Sequence, residues 1–426
     1  MSDIESLKVS QALGSNHRNC RICGRVLPEP FLDLGSMPLA NTFLESPEQA
    51  MQESRYPLAV CLCQSCGLVQ LNYVVTAEHL YRNYIYVSST SDAVQAHARW
   101  LAQELTQRYR WAGNDLIVEV ASNDGTVLRR FQEAGLRVLG VEPAHNIVAL
   151  AKQVGVPTEE DFFNARTAAR LRRQSGPADC ILGRHVFAHV DNLHDLMEGI
   201  CELLTENGVF IIEVPYLGDL IGNLEFDTIY HEHLSYVTLA PIIRLCHEHG
   251  MELFDVDRVA LHGGSILLHM HRRTDRSQSV TSRLARMVEQ EQQMGLTDPR
   301  TFSQFAKDVQ QWRNKFQDFI EKLNKEGVRL IGYGAAAKAN TLLNFCPFLA
   351  KSLMCVLDRS PHKQGRFTPG THLRVQPVEF LLESRATHMV ILAWNFKDEV
   401  IRQMQPFTEQ GGRFVIPIPA PVIVGG

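Results

Sequence analysis

Two pairs of cysteines are the first residues able to do chemistry. Cys20 and Cys23 form one CxxC followed by Gly24, and Cys63 and Cys66 form a second followed by Gly67. A CxxCG turn aims two thiolates at one point, and its glycine permits the tight backbone. Two such turns complete the four-sulfur tetrahedral shell that suits zinc. Four protein ligands leave no open coordination position, so this Zn2+ is read as structural and not as catalytic. Cys61 reads as a strand residue, and Cys180, Cys201, Cys246, Cys346 and Cys355 as reduced thiols in apolar settings. A second cluster stands in FDTIYHEHLSYVTLAP, where Tyr230, His231, Glu232, His233 and Tyr236 fall within seven residues. Two histidines two apart point to opposite sides of an extended chain, which weakens a metal reading. Polar residues at a helix start are one alternative. General acid-base work is the other, because an imidazole of pKa about 6.5 takes a proton at neutral pH and a carboxylate can fix its tautomer.

The elements that would position a third site follow from the chain's patterning. DLIVEVASNDGTVLRRFQEAG reads as an apolar strand from Leu116 to Val120, a tight turn at Asn123, Asp124 and Gly125, and a helix. RVLGVEPAHNIVALAKQVG repeats the unit with Glu142 at the strand's end. ADCILGRHVFAHV and GVFIIEVPYL are further strands, and FDVDRVAL with SILLHMHR an antiparallel pair. Such alternation predicts a mostly parallel sheet with ligands at the carboxyl ends of its strands. A dinucleotide fold would show GxGxxG at the first turn, whereas ASNDGT offers one glycine. The turn therefore suits a cofactor without phosphates, and S-adenosylmethionine fits. Glu142, beside Pro143, would accept both ribose hydroxyls. Asn123, Asp124 and Gly125, reached through Glu119, Ala121 and Ser122, would lie near the amino acid end. Asp161, before Phe162 and Phe163, would meet the adenine or else lie on a plain surface loop.

Beyond residue 272 the chain becomes polar with a helical period (SRLARMVEQEQQMG, FAKDVQQWRNKFQDFIEKLNK), which predicts a helical connector to about residue 325. RLIGYGAAAKANTLLNF is again strand, glycine turn and helix, and SLMCVLD puts Asp358 at the end of the next strand. Gly334 precedes Asp358 by 24 residues, close to the ~20 of the dinucleotide pattern. These residues alone would name NAD and an NAD-dependent sugar nucleotide oxidoreductase. The length of 426 residues, at about 150 per domain, asks for two or three cores. A net charge of −5 supplies no basic field for nucleic acid or anionic lipid. Residues 1 to 90 hold six Lys or Arg against eight Asp or Glu, a net of −2, which also argues against an RNA-binding ribbon. The start, MSDIESLKVSQ, and the lack of a long apolar run predict a cytoplasmic protein without a membrane partner.

CRICG, CQSCGLVQL, YIYVSSTSDAV, VEVASNDGTVL, GVEP, HVFAHV, EVPYL, TIYHEHLSY, HGGSILL and YGAAAKANTLLN occur in the order seen in the sugar C-methyltransferases that act on keto sugar nucleotides. The chain resembles that family over nearly its whole length. The resemblance implies an α/β protein in three parts: an N-terminal zinc-binding, ribbon-like module (1–75), a central Rossmann-like class I methyltransferase domain (76–272), and a helical connector with a C-terminal Rossmann-like domain that grips the sugar nucleotide (273–426). It also implies the chemistry. A ketone acidifies the neighbouring C–H, a base removes the proton, and the enolate takes a methyl group. The resemblance makes His233 the base, with Tyr230 and Glu232 as acid-base partners or orienters. Tyr84 is similar to the family tyrosine that reaches the keto sugar, with Tyr86 as its substitute and Ser88 and Tyr216 also at the substrate. His189 is either a substrate contact or a structural residue at a helix start. In the C-terminal part the resemblance replaces NAD by the diphosphate of the sugar nucleotide, cradled from Gly334 and Ala335 to Lys338. Asn340, Asp358, Lys363 and Gln364 are expected at the nucleoside, with Trp394 and Asn395 adding a contact. HGGS at 262–265 is a hairpin turn or a substrate contact. Arg184 and His185 depart from the family, whose members often carry Asn there, and His185 is expected near the cofactor. The implied substrate is a dTDP- or GDP-linked 4-keto-6-deoxysugar, methylated in the family's common case at C3, and the enzyme a monomer or weak homo-oligomer.

Overall fold

Short strands build the N-terminal part: β1 (Gly14–Asn16), β2 (Leu32–Met37), β3 (Tyr56–Leu62), β4 (Val69–Leu71) and β5 (Tyr73–Val75). This is seen in a computed structural model that describes residues 14–260, 263–275 and 277–425. β3 lies between β2 and β4 in antiparallel pairing, and β1 pairs with β5. Gly24 and Gly67 close the two knuckles at φ of +67° and +79°, a region glycine enters without strain. The four Sγ atoms of Cys20, Cys23, Cys63 and Cys66 lie within 4.8 Å of one another, with Cys20 to Cys66 and Cys23 to Cys63 at 3.4 Å. A zinc tetrahedron with Zn–S near 2.3 Å has edges of roughly 3.8 Å, so this donor set fits zinc.

The central sheet contains β6 (Leu116–Val120), β7 (Arg137–Val141), β8 (Thr158–Glu159), β9 (Ala178–Arg184) and β10 (Leu204–Pro215). β11 (Ser235–Tyr236) leaves it, and β12 (Met251–Val259) and β13 (Ser265–Arg272) rejoin it. The order is β12-β13-β10-β9-β6-β7-β8, parallel from β10 to β8 and antiparallel at β13. Every residue of β6 is buried, as a strand covered by helices on both faces requires. Side chains of Ser91, Asn164 and Asn192 cap the helices that start beside them. Ala121, Asn123 and His185 hold φ of 53°, 51° and 52° where β6 and β9 end. Such strained non-glycine residues persist where their surroundings over-determine them, commonly at binding sites.

The C-terminal sheet holds β14 (Leu330–Tyr333), β15 (Leu353–Leu357), β16 (Val375–Gln376), β17 (His388–Ile391), β18 (Arg413–Ile416) and β19 (Val422–Val424). Its order is β16-β15-β14-β17-β18-β19, parallel except at β19. The Pro299–Lys325 helix buries Phe302, Phe305, Val309, Trp312, Phe316, Ile320 and Leu323, one apolar face at three- and four-residue spacing. It does more than connect: Trp312 donates Nε1–H to Pro417 O at 3.0 Å, and Phe302 meets Phe31 of the N-terminal part.

The three parts interlock through residues 217 to 236. β11 pairs with β4, Ser235 opposite Gln70 and Tyr236 opposite Val69, so a segment within the central span completes the N-terminal sheet. One apolar core joins Leu58, Val60 and Leu71 to Phe226, Ile229 and Leu234 and to Trp312 and Leu342. Phe226 sits at its centre, fully buried, with ring centroids 4.9 Å from Trp312 and 5.2 Å from Phe345. No helix among the described residues is long and apolar enough to cross a membrane.

Two outcomes follow from these contacts. Phe226→Ala is expected to cost about 3–5 kcal/mol in chemical denaturation. Elemental analysis should find one zinc per chain. Removing it with a strong chelator, or breaking the shell with Cys66→Ala, should lower the melting temperature sharply, since structural zinc contributes on the order of 10 kcal/mol in small domains.

Candidate active site

The segment that ends in β11 carries the polar cluster. Tyr230 Oη lies 2.6 Å from His233 Nε2, and His233 Nδ1 lies 2.8 Å from Thr228 O. A carbonyl oxygen only accepts, so Nδ1 carries the hydrogen and Nε2 receives the Tyr230 hydroxyl. Burial and the nearby His189 hold His233 well below the ordinary imidazole range. Burial and the Glu232 carboxylate push the Tyr230 phenol well up. Glu232 accepts from Tyr84 Oη at 2.8 Å and from Asn41 Nδ2 at 2.7 Å, and burial raises its carboxyl. His189 stands with its ring centroid 5.1 Å from that of His233. His231 faces away, its Nε2 3.2 Å from the carbonyls of Tyr56 and Pro57, so alternation separates the two histidines of HEH. The group able to hold a metal among the described residues is the four cysteines.

Residues 84 to 89 join this cluster to the ASNDG turn. Asn123 accepts from Ser88 N at 2.9 Å and donates to Tyr86 O at 3.1 Å, while Asp124 accepts from Ser89 N at 3.0 Å. Asn146 exchanges two bonds with the backbone of Tyr84. Tyr86 itself is 39% exposed. Glu142 receives Asn123 N and Ala144 N, each at 2.9 Å, one on each carboxylate oxygen, and Gly125 turns the chain at φ 77°. Behind the turn, Arg184 Nε donates to Glu213 at 2.8 Å and its guanidinium lies 3.7 Å from Glu119. His97 and His185 face the other Glu213 oxygen at 2.9 and 3.6 Å. Burial pushes the Glu119 carboxyl up to about 8. Glu119 Oε2 and Ser122 Oγ are buried and bond to no described residue. Glu119, Asp124 and Glu142 thus line the ends of β6 and β7 with carboxyl groups rather than cations, acceptors that fit ribose hydroxyls and an ammonium, and a bound cation would draw the raised Glu119 carboxyl back toward its ionised form.

The remaining expected residues have partners of their own. Asp161 is engaged by Thr167 and Arg170 of its own loop and helix. Phe162 stacks under Arg82, whose side chain reaches Pro143 O at 3.5 Å. Tyr216 lies beneath Arg258 with Glu291 at its hydroxyl. Of HGGS, His262 falls outside the described residues, and Gly263 and Gly264 make the turn into β13.

In the C-terminal part Gly334 has φ 93°, and a Cβ there would fall 2.7 Å from that of Ala393. Asp358 receives Ala335 N at 2.7 Å and Ser360 N at 2.8 Å. Lys363 Nζ donates to Ala335 O at 2.8 Å, and Gln364 to Asp358 O at 2.9 Å. Lys338, expected at the diphosphate, turns inward. Its Nζ is buried, lies 4.5 Å from the Trp394 ring centroid, and hydrogen-bonds to no described residue. Its charge acts on Asp227 and Glu225, which burial raises to about 6 and about 7. Trp394 Nε1 donates to Asp227 at 2.7 Å. Asn340 Nδ2 bonds Ala40 O and Thr341 Oγ1 bonds Ile229 O, so the Ala337–Phe345 helix grips both loops that carry the cluster. Asn340 Oδ1 and Asn395 Oδ1 are buried and unbonded by described residues.

Sequence reasoning missed Tyr81, Asn41, Thr228 and Asp227. Tyr81 Oη contacts His189 Nδ1 at 3.1 Å and Glu232 O at 3.3 Å. Its signal was the aromatic run YRNYIY, where it stands three residues before Tyr84.

Comparison with known proteins completes the picture. Residues 20–81 match a family described as a zinc binding domain, residues 95–256 a methyltransferase domain, and residues 260–419 the C-methyltransferase C-terminal domain. The C-methyltransferase NovU of Streptomyces niveus is 34% identical over 408 residues, 95% of this chain and 96% of its own. Solved structures with a likeness over 42% of the chain include magnesium protoporphyrin IX methyltransferase of Synechocystis PCC 6803, at 14% identity, 79% of that chain and a TM-score of 0.33. A second is a methyltransferase of Thermotoga maritima, at 15% identity, 90% of that chain and a TM-score of 0.33. The residues whose spacing invited NAD lie inside the C-methyltransferase C-terminal match, so the oxidoreductase reading is set aside. The chain belongs to the C-methyltransferase family and is an S-adenosylmethionine-dependent C-methyltransferase with a four-cysteine zinc-binding module.

Proposed function

We propose that the methyl acceptor is a nucleotide-linked 4-keto-6-deoxysugar, deprotonated and then methylated at C3. The observation that carries this reading is the chain Tyr230 Oη, His233 Nε2, Thr228 O at 2.6 and 2.8 Å. His233 was expected to be the base; because the Tyr230 hydroxyl engages its Nε2 lone pair, we assign the tyrosine as the group that passes the substrate's proton to it. The C–H bond breaks with its electron pair left as enolate, the phenol oxygen takes that proton, and the phenol's own proton moves to Nε2. Thr228 O keeps Nδ1–H in place throughout. An imidazolium alone would be unfavourable in this buried setting, but the enolate formed in the same step supplies its counter-charge. Glu232, held by Tyr84 and Asn41, orients Tyr84 toward the same space. S-adenosylmethionine, when bound against Glu119, Asp124 and Glu142, supplies an electrophilic methyl group for the enolate carbon. We place the dTDP or GDP moiety at the turn of Gly334 and Ala335, beside Asp358 and Lys363.

Proton NMR in deuterium oxide tests this with dTDP- and GDP-linked 4-keto-6-deoxyhexoses. The wild-type enzyme should exchange C3–H for deuterium and, with S-adenosylmethionine, yield a new C-methyl signal. Tyr230→Phe should slow exchange by about 10²- to 10⁴-fold. Because burial keeps His233 below its ordinary range, its neutral form persists as pH falls. Exchange should therefore hold through pH ~6.5 and decline only at lower pH. No exchange with either nucleotide sugar would sink the substrate reading, and a wild-type rate in Tyr230→Phe would sink the assigned role.

A further inference from the structure

Two imidazoles stand in the active site, and their hydrogen-bond partners are not equivalent. His233 has both ring nitrogens engaged, Nδ1 by Thr228 O and Nε2 by Tyr230. His189 has one partner, the Tyr81 hydroxyl 3.1 Å from Nδ1. That hydroxyl also lies 3.3 Å from the carbonyl oxygen of Glu232. For both contacts to be hydrogen bonds, the phenol's single hydrogen must go to Glu232 O, which can only accept. The phenol oxygen must then accept from His189, which places the imidazole hydrogen on Nδ1 and leaves Nε2 as a bare lone pair. No described residue hydrogen-bonds that nitrogen, and His189 is not fully buried. Its ring faces His233 at 5.1 Å and 60°.

We infer that Tyr81 is a positioning residue that sets the tautomer of His189, so that His189 Nε2 accepts a hydrogen bond from a sugar hydroxyl beside the carbon that Tyr230 deprotonates. This rests on the reading of the site as a sugar deprotonation centre. Tyr81 suits the task because both its partners are held independently. Leu234, two residues after Glu232, donates N–H to Ala188 O at 2.6 Å, which ties the Glu232 strand to the turn bearing His189. Tyr81 closes the third side, with its ring edge-on to Tyr84 at 5.7 Å. Burial pushes His189 down to about 3, so its acceptor form survives across the working pH range.

The test has a spectroscopic arm and a kinetic arm. In protein labelled with ring-¹⁵N histidine, the wild type should show His189 as the Nδ1–H tautomer, its signals identified by their loss in His189→Gln. Tyr81→Phe, which keeps the ring and removes the hydroxyl, should lose that pure tautomer. In exchange assays Tyr81→Phe should lower kcat/KM about tenfold, the order expected for one lost hydrogen bond. In a His189→Ala background it should have no further effect, whereas a merely structural role would cost the same factor in both. An Nε2–H tautomer in the wild type, or equal losses in the two backgrounds, would overturn the assignment. If no nucleotide sugar is exchanged by the wild type, the substrate reading fails, and the His189 tautomer in the wild type and in Tyr81→Phe still decides the role of Tyr81.

Discussion

Four thiolates within 4.8 Å of one another repel unless a cation neutralises them, and the position of the catalytic segment depends on that neutralisation. The second knuckle runs almost directly into β4, which has only three residues. β4 in turn supplies the pairing partners of β11, and β11 begins two residues after His233. Leu71 N donates to Leu234 O at 3.0 Å while Leu234 N donates to Ala188 O at 2.6 Å. The residue after His233 is thereby fixed on one side by the zinc module and on the other by the central domain. Arg21, between the cysteines of the first knuckle, reinforces the join through Gln70, Leu71 O and Asp191. A metal that takes no part in bond making can therefore set the geometry of the residues that do.

The polar groups so positioned are buried, and their protonation follows from that. Burial disfavours charge, which keeps His189 and His233 neutral and the tyrosines protonated. Most of these groups satisfy one another: Tyr84 and Asn41 on Glu232, Tyr230 on His233, and Tyr81 between His189 and Glu232 O. The exceptions are informative. Lys338 Nζ, Glu119 Oε2, Asn340 Oδ1 and Asn395 Oδ1 are buried and unbonded by described residues, a costly condition that a folded protein tolerates where a ligand completes the bonding.

Legibility in the sequence tracked the range of the interaction. The zinc knuckles, the alternation of strand and helix, the end of β6 at Val120 and the place of Asp358 after β15 are local in spacing and could be read directly. The resemblance to sugar C-methyltransferases brought Tyr84, Glu232 and His233 together before the structure did. The capping of His233 by Tyr230 depends on a backbone carbonyl, Thr228 O, which no side-chain pattern reveals. Asn41 reaches Glu232 across 191 residues, and Tyr81 reaches His189 across 108; neither contact has a period. Lys338 followed its helix position in the sequence reading, yet the apolar and π surface of Trp394, with the charges of Asp227 and Glu225, draws its ammonium inward.

The two Rossmann-like parts use the same lock. Glu142 follows β7 directly, takes Asn123 N from the turn after β6, and takes Ala144 N two residues on. Asp358 follows β15 directly, takes Ala335 N from the turn after β14, and takes Ser360 N two residues on. Each carboxylate oxygen spends one lone pair on its turn and keeps another, so the lock holds the loop while leaving acceptors for ribose hydroxyls. What differs is the turn. Asn123 and Asp124 commit their side chains to residues 86 to 89, which holds that stretch over the turn. Gly334 and Ala335 have no side-chain hydrogen-bonding groups and leave the start of the Ala337–Phe345 helix free to meet phosphate oxygens, as helix N-termini favour. The same device thus carries a polar turn in one domain and a bare one in the other, a difference that agrees with the proposed placement of a phosphate-free cofactor at the first and a diphosphate at the second.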